Sequence, residues 1–258
     1  MAEHRALDAI LQPGGITPVF QPICAVDNGR WTIAGFECLS RGPKGTHFES
    51  ANVLFDYVRL KREETLVDRA CITTALAAAR TLPAEARLGV NVHASTLGRD
   101  PSFADFLRGA ADANEIAFDR LTIEIVEHAP PWDGLGFLSM LDRLRDHGAR
   151  IALDDVGLGQ SNFKMLLDVR PDFMKIDRYF IEHCATDTNR QAVIEIVTRL
   201  AQHFSARVVT EGVEDEATVK ALQLLGITLM QGFYFSKPLE LHAVPALYES
   251  ARMNLLLP

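Results

Sequence analysis

The sequence predicts an α/β protein folded as a single TIM-like (β/α)8 barrel with an antiparallel first strand. Three observations carry this. Eight short apolar, β-branched runs alternate with longer amphipathic stretches from end to end. The length, 258 residues, matches the roughly 250 that such a barrel needs. No composition shift, low-complexity run or linker divides the chain, so residues 1–258 are expected to act as one domain with a core at about 18–240.

Each element has its own signal. The first strand, 19–26, meets the second, 32–39, through Asp27-Asn28-Gly29-Arg30, and Asn-Gly is a strong hairpin signal, so this pair should be antiparallel. A helix over 63–81 follows from Leu66, Ala70, Thr73–Ala77 and Leu82, spaced near the helical period. Strand 87–92 comes next, then a rim loop at 94–101 and a helix at 103–113. Strand 121–127 precedes a second loop at 129–133 and a helix at 135–147, which Gly148 can close in the left-handed conformation. Strands 150–156 and 173–176 lead to a helix at 189–204. Strand 207–213, a helix at 216–225 ending before Gly226, strand 229–235 and a helix at 241–253 complete the set.

Composition limits the function classes. A hydrophobic fraction of 48% supplies an ordinary core, and the net charge of −8 argues against nucleic-acid or anionic-membrane partners, which want a basic field. No run reaches the roughly 18 apolar residues of a membrane span, and the N-terminus lacks the features of a secretion signal. Cys24, Cys38, Cys71 and Cys184 have neither CxxC nor framework spacing, which suits a reducing compartment; Cys71 reads as a buried thiol. A cytoplasmic protein is expected.

Chemistry concentrates where the apolar runs end. Glu37, Asn91, Glu124, Asp154, Asp155 and Glu211 all stand there, with Glu127 just past the fourth run. Active sites of (β/α)8 barrels lie at the C-terminal ends of the strands. Gathered carboxylates repel one another unless something cationic joins them, and hard oxygen donors select Mg²⁺, Mn²⁺ or Ca²⁺. Singly, an Asp or Asn after a strand also serves as a helix N-cap. Glu124 resists that reading, because alternation within Leu121–Glu127 sets it with Thr122, opposite Ile123 and Ile125, and so points it into the barrel. Adjacent aspartates at 154 and 155 cannot both cap one helix, and could bridge two cations. Lys175, inside an apolar strand, is either an ion pair with Asp177 or another rim acid, or a cation that holds a water or a phosphoryl oxygen. Gly157 and Gly159 mark a tight turn.

In order along the chain stand Gln21-Pro22-Ile23, Glu37-Cys38-Leu39-Ser40-Arg41, Val90-Asn91-Val92, Glu124-Ile125-Val126-Glu127, Asp154-Asp155-Val156-Gly157, Lys175-Ile176-Asp177, Glu211-Gly212-Val213-Glu214 and Gln231-Gly232-Phe233. From about Pro18 to Pro238 this series resembles the EAL domain family. The resemblance implies a bacterial phosphodiesterase that hydrolyses cyclic di-GMP to linear pGpG on a barrel with its first strand reversed.

The resemblance also implies roles. Glu37, Asn91, Glu124 and Asp154 would hold a first metal. Asp154 would bridge to a second, joined by Asp155, and Glu211 would contact the water network there. Lys175 would orient the attacking water, Arg41 would grip a phosphate, and Gln231 matches an active-site glutamine. Gln21, Leu39 and Pro238 would line the nucleotide pocket, and Glu127 would anchor the loop that starts at Asp155. Mg²⁺ or Mn²⁺ would support turnover and Ca²⁺ would inhibit it. The expected partners are cyclic di-GMP and a second copy of the chain, with a regulatory domain possible elsewhere.

The chain departs from the family pattern at Cys38, where alanine is usual, and at Val156, Leu158 and Gln160 in the loop thought to couple dimer contacts to the second metal. No charged ligand is lost. The leading expectation is an active metal-dependent phosphodiesterase; the alternative is a weak or inactive cyclic di-GMP receptor.

Overall fold

A computed structural model describes residues 2–126, 134–157 and 163–253. Eight strands close into one barrel in chain order: β1 (Thr17–Asp27), β2 (Arg30–Arg41), β3 (Arg87–His93), β4 (Leu121–Val126), β5 (Arg150–Leu153), β6 (Phe173–Ile176), β7 (Arg207–Thr210) and β8 (Leu229–Met230). All neighbours from β2 to β8 run parallel. β1 is antiparallel to both β2 and β8. The hairpin turn has Asn28 and Gly29 at φ +48° and +74°, the two positive values that a twist-matched two-residue turn requires.

The helices are α1 (Ala2–Leu11), α2 (Ala51–Lys61), α3 (Glu64–Ala79), α4 (Ala94–Arg99), α5 (Phe103–Ala113), α6 (Leu135–Asp146), α7 (Phe163–Val169), α8 (Arg178–Ile181), α9 (Thr188–His203), α10 (Glu216–Leu224) and α11 (Val244–Met253). The expected rim loop at 94–101 is therefore mostly helix. The segment is held from outside through a side chain, because Asp68 accepts from the Thr96 hydroxyl. Three strands end earlier than expected, at Leu153, Thr210 and Met230. Hydrogen bonds from Glu211 N to Ile176 O and from Gln231 N to Thr210 O still tie the following residues to the barrel. Gly148 and Gly226 take positive φ where α6 and α10 end, as expected.

Apolar side chains from the strands' outer faces meet the helices in one continuous core, with Phe36, Leu88, Ile123 and Ile151 fully buried. A satellite cluster of Ile10, Ile16, Leu54, Val58, Val67 and Cys71 packs α1 and α2 on α3. All four cysteines are free and buried; burial pushes the Cys71 thiol up to about 12, so none is a ready nucleophile. Inside the barrel small residues leave room: Gly35, Gly89 and Ala152 line a lower cavity of about 220 Å³ roofed by Glu124 and Lys175. A Cβ at Gly89 would overlap the Glu124 carboxylate, so only glycine admits that acid.

Candidate active site at the barrel mouth

Strand register brings the singled-out residues together. Gln21 is the cross-strand partner of Glu37, and Asn91 that of Glu124. Lys175, only 2% exposed, reaches up from β6 as the hub. Its Nζ lies 2.6 Å from Glu124 Oε2, 2.6 Å from Glu211 Oε1, 3.3 Å from Glu37 Oε2 and 3.4 Å from Asp154 Oδ1. No ion pair joins it to Asp177, which instead caps α8 by accepting from Tyr179 N. Of the ion-pair partners open for Lys175, Asp177 therefore fails and the other rim acids hold.

Amides hold the other side of Glu37. Asn91 Nδ2 donates to its Oε1 at 2.8 Å, which leaves the Asn91 oxygen free to face a cation. Gln231 Nε2 donates to Glu37 Oε2 at 2.7 Å and to Gln21 Oε1 at 3.1 Å. The Gln231 Oε1 is buried and has no hydrogen-bond partner among the described residues. Asp155, at φ +50°, donates its backbone N–H to Asp154 Oδ1. That left-handed backbone aims two consecutive carboxylates at one place, a strained arrangement of the kind that collects at functional sites.

The electrostatics follow from burial. Glu124 is pushed up to about 8 by desolvation, against the pull of Lys175. Asp155 rises to about 6 through burial and the neighbouring Asp154 and Asp177. Asp154 and Glu211 are raised by burial as well, again opposed by Lys175. For Glu37, burial raises the carboxyl, but Lys175 and the Asn91 and Gln231 amides outweigh it and hold it below its ordinary value. Lys175 is buried, yet the four acids around it keep it charged. One ammonium cannot balance five carboxylates. Asp154, Asp155 and Glu211 each offer an oxygen within 4.8 Å of the others, an all-oxygen donor set that fits a hard divalent cation.

Not every expected residue joins this centre. Gln21 and Leu39 line a cavity of about 280 Å³ with Glu37, Asp154, Glu211 and Gln231. Arg41 and Pro238 line a separate depression with Lys44 and Glu240. Glu127, Leu158, Gly159 and Gln160 lie outside the described residues. The structure adds Arg178, which lines the Gln21 cavity and pairs with Glu214 at 3.1 Å. Its signal was its place after Lys175-Ile176-Asp177, at the same rim.

Fold and site define a class: a (β/α)8-barrel protein with an acidic oxygen-donor centre at the C-terminal mouth. The chain belongs to the EAL domain family, whose model matches residues 4–238. It is 31% identical over 247 residues to a probable cyclic di-GMP phosphodiesterase, PdeG, of Escherichia coli, covering 91% of this chain and 47% of that protein. A cyclic di-GMP phosphodiesterase of Pseudomonas aeruginosa, PA2567, is 34% identical over 161 residues, covering 62% of this chain and 27% of its own length. The chain thus spans less than half of these curated relatives.

Among solved structures, Klebsiella pneumoniae BlrP1 in a calcium and cyclic di-GMP complex superposes with a TM-score of 0.77. It is 28% identical and covers 87% of this chain and 56% of its own. BlrP1 is also known in a manganese and cyclic di-GMP complex. A standalone EAL protein from Vibrio cholerae, bound to cyclic di-GMP, gives a TM-score of 0.77 at 26% identity over 87% of this chain and 92% of its own.

Proposed function

We propose that this chain, residues 1–258 working as one EAL-type unit, is a metal-dependent phosphodiesterase that hydrolyses cyclic di-GMP to linear pGpG. The observation that carries this is the Lys175 hub, one ammonium within 3.4 Å of four carboxylates at the catalytic end of a barrel.

Two divalent cations, Mg²⁺ or Mn²⁺, would supply charge neutralisation and polarisation of the phosphodiester for in-line displacement. Glu37, Asn91, Glu124 and Asp154 would hold the first, Asp154 and Asp155 would hold the second, and Glu211 would contact the water network there. Ca²⁺ would occupy the same oxygens and inhibit. Lys175 stays protonated and orients the attacking water by donating to it. The amide relay from Gln21 through Gln231 keeps Glu37 in place. Leu39 and Gln21 line one nucleotide pocket, while Arg41 and Pro238 contact the substrate further out.

Exposed apolar side chains on adjacent elements, Phe163 and Leu167 of α7, Tyr179 of α8 and Ile196 of α9, support pairing of two copies there. No described helix is long and apolar enough to cross a membrane, in keeping with a cytoplasmic enzyme.

The direct test is incubation with cyclic di-GMP and Mg²⁺ or Mn²⁺, following pGpG by chromatography beside an EDTA control. Cation-dependent pGpG is the expected result. Tight binding of the intact dinucleotide without product would overturn the enzymatic reading and make the chain a receptor.

A further inference from the structure

The lower cavity, of about 220 Å³ beneath Glu124 and Lys175, reaches the floor of the barrel beside Arg87, Arg207 and Glu85. Strand alternation gathers arginines there. Arg87, Arg150 and Arg207 are the first residues of β3, β5 and β7. Each stands four positions before a mouth residue, Asn91, Asp154 or Glu211, and so shares its inward face about 13 Å lower. Alternate strands of such a barrel contribute one layer of side chains. Here that layer is cationic.

Two of the three are answered by the protein itself. Arg150 pairs with Asp172 at 2.8 Å, and the same carboxylate accepts from Ile151 N. Arg87 Nη1 donates to the Asp119 carbonyl oxygen at 2.9 Å. The Arg207 guanidinium has no hydrogen-bond or ion-pair partner among the described residues. Glu85 stands at the same edge without pairing to any of the three. Burial and Arg150, with Arg207 adding, push the Arg87 guanidinium below its ordinary value, against Asp119 and Asp172. Above the arginines the walls turn apolar, with Ile23, Ala152, Phe173, Val209 and Leu229. A dry apolar cavity of about 150 Å³ holds benzene, so this space has room for a ring or a chain of about six carbons.

We infer that the barrel floor binds a small monocarboxylate, its head held by Arg87 and Arg207 and its apolar body standing between Ile23, Phe173 and Leu229. The planar carboxylate matches the guanidinium fork, and supplies Arg207 with the partner it lacks. The apolar walls select a ligand with one charged end over a bare inorganic anion. The site faces away from the mouth, so the inference goes beyond the phosphodiesterase reading and stands without it.

Hexanoate is the probe, beside hexanol, which lacks the charge, and inorganic phosphate, which lacks the body. Calorimetry on the full chain is run in EDTA, so that no cation at the mouth captures a carboxylate, and methyl NMR locates the ligand. Hexanoate is expected to bind with a Kd of about 1 mM, as suits so few atoms. Its binding shifts the methyl signals of Ile23, Val209 and Leu229. Hexanol and phosphate each bind about tenfold more weakly, since each forfeits one half of the site. Arg207→Gln, at an exposed side chain, keeps the thermal midpoint, raises the hexanoate Kd about tenfold and leaves hexanol unchanged. Absence of saturable hexanoate binding to the wild-type protein overturns the proposal, as does an unchanged Kd in Arg207→Gln. Hexanol or phosphate binding as tightly as hexanoate also overturns it, and so do shifts confined to the mouth.

Discussion

Without divalent cations, the protein should lose stability as pH rises from about 5 to about 8, and a cation should remove most of that slope. The working group is Glu124, whose carboxyl is carried from an ordinary 4.5 to about 8 by burial, with Lys175 opposing and Glu37 and Asp154 adding. A carboxyl with a folded pKa above its unfolded one binds more protons in the folded state. Its stabilising contribution is complete below 4.5 and is lost as pH climbs through 8. At about 1.4 kcal/mol per pH unit, Glu124 alone accounts for up to about 5 kcal/mol.

Asp154, Asp155 and Glu211 are raised too and act in the same direction. Glu37 is lowered and acts the opposite way, losing its contribution only as pH falls below the ordinary carboxylate range. Lys175, raised above 10.5, changes nothing in this window. Urea unfolding between about pH 5 and 8.5, in EDTA and again in Mn²⁺, measures the slope. The midpoint should fall toward pH 8 in EDTA and stay level in Mn²⁺, and Glu124→Gln should flatten the EDTA series. A metal-free midpoint that is level or rises over this range would refute the reasoning.

Other perturbations probe single contacts. Gly89→Ala sets a methyl against the Glu124 carboxylate and should cost about 1–3 kcal/mol in thermal unfolding; an unchanged midpoint would show slack inside the barrel. Gln231→Ala removes the 2.7 Å support of Glu37 and should lower kcat about tenfold, measured by pGpG formation. With Lys175→Ala, turnover should fall further than cation affinity by calorimetry, and equal losses would contradict a water-orienting role. Phe163→Glu, at a side chain 74% exposed on α7, should shift sedimentation from dimer to monomer while changing the protomer's unfolding free energy by no more than about 0.5 kcal/mol.

Strands and carboxylates were legible in the sequence because both obey local rules. β-branched runs recur, Asn28-Gly29 forces the hairpin, and alternation alone turned Glu124 inward. Strand ends were overdrawn because residues such as Glu211 and Gln231 keep one ladder bond after regular pairing stops. The helix α4 was missed because Ala-Ser-Thr-Leu-Gly-Arg has little helical preference of its own; Asp68, far upstream, supplies a bond that holds it. The same distance hid a second contact of Asp68, to His93 Nδ1 at 2.8 Å, since nothing in the spacing of residues 68 and 93 marks them as neighbours. Arg41 ends the strand that carries Glu37, yet lines a different depression, which only the three-dimensional course of β2 reveals.

The reversed first strand also decides how the mouth is wired to the rest of the chain. In an all-parallel barrel, whatever precedes β1 arrives at the floor, a full barrel height from the chemistry. Here β1 runs downward, so Thr17 enters at the upper rim, opposite Arg41. The helix just before it, α1, leans on α2 and α3 through Ile10, Leu54 and Val67. Those two helices wall a cavity that opens beside Glu37 and Asn91 and holds Phe55 and His93. The chain before β1 is thus packed against the helices that frame the mouth, on the side of the barrel where the carboxylates gather.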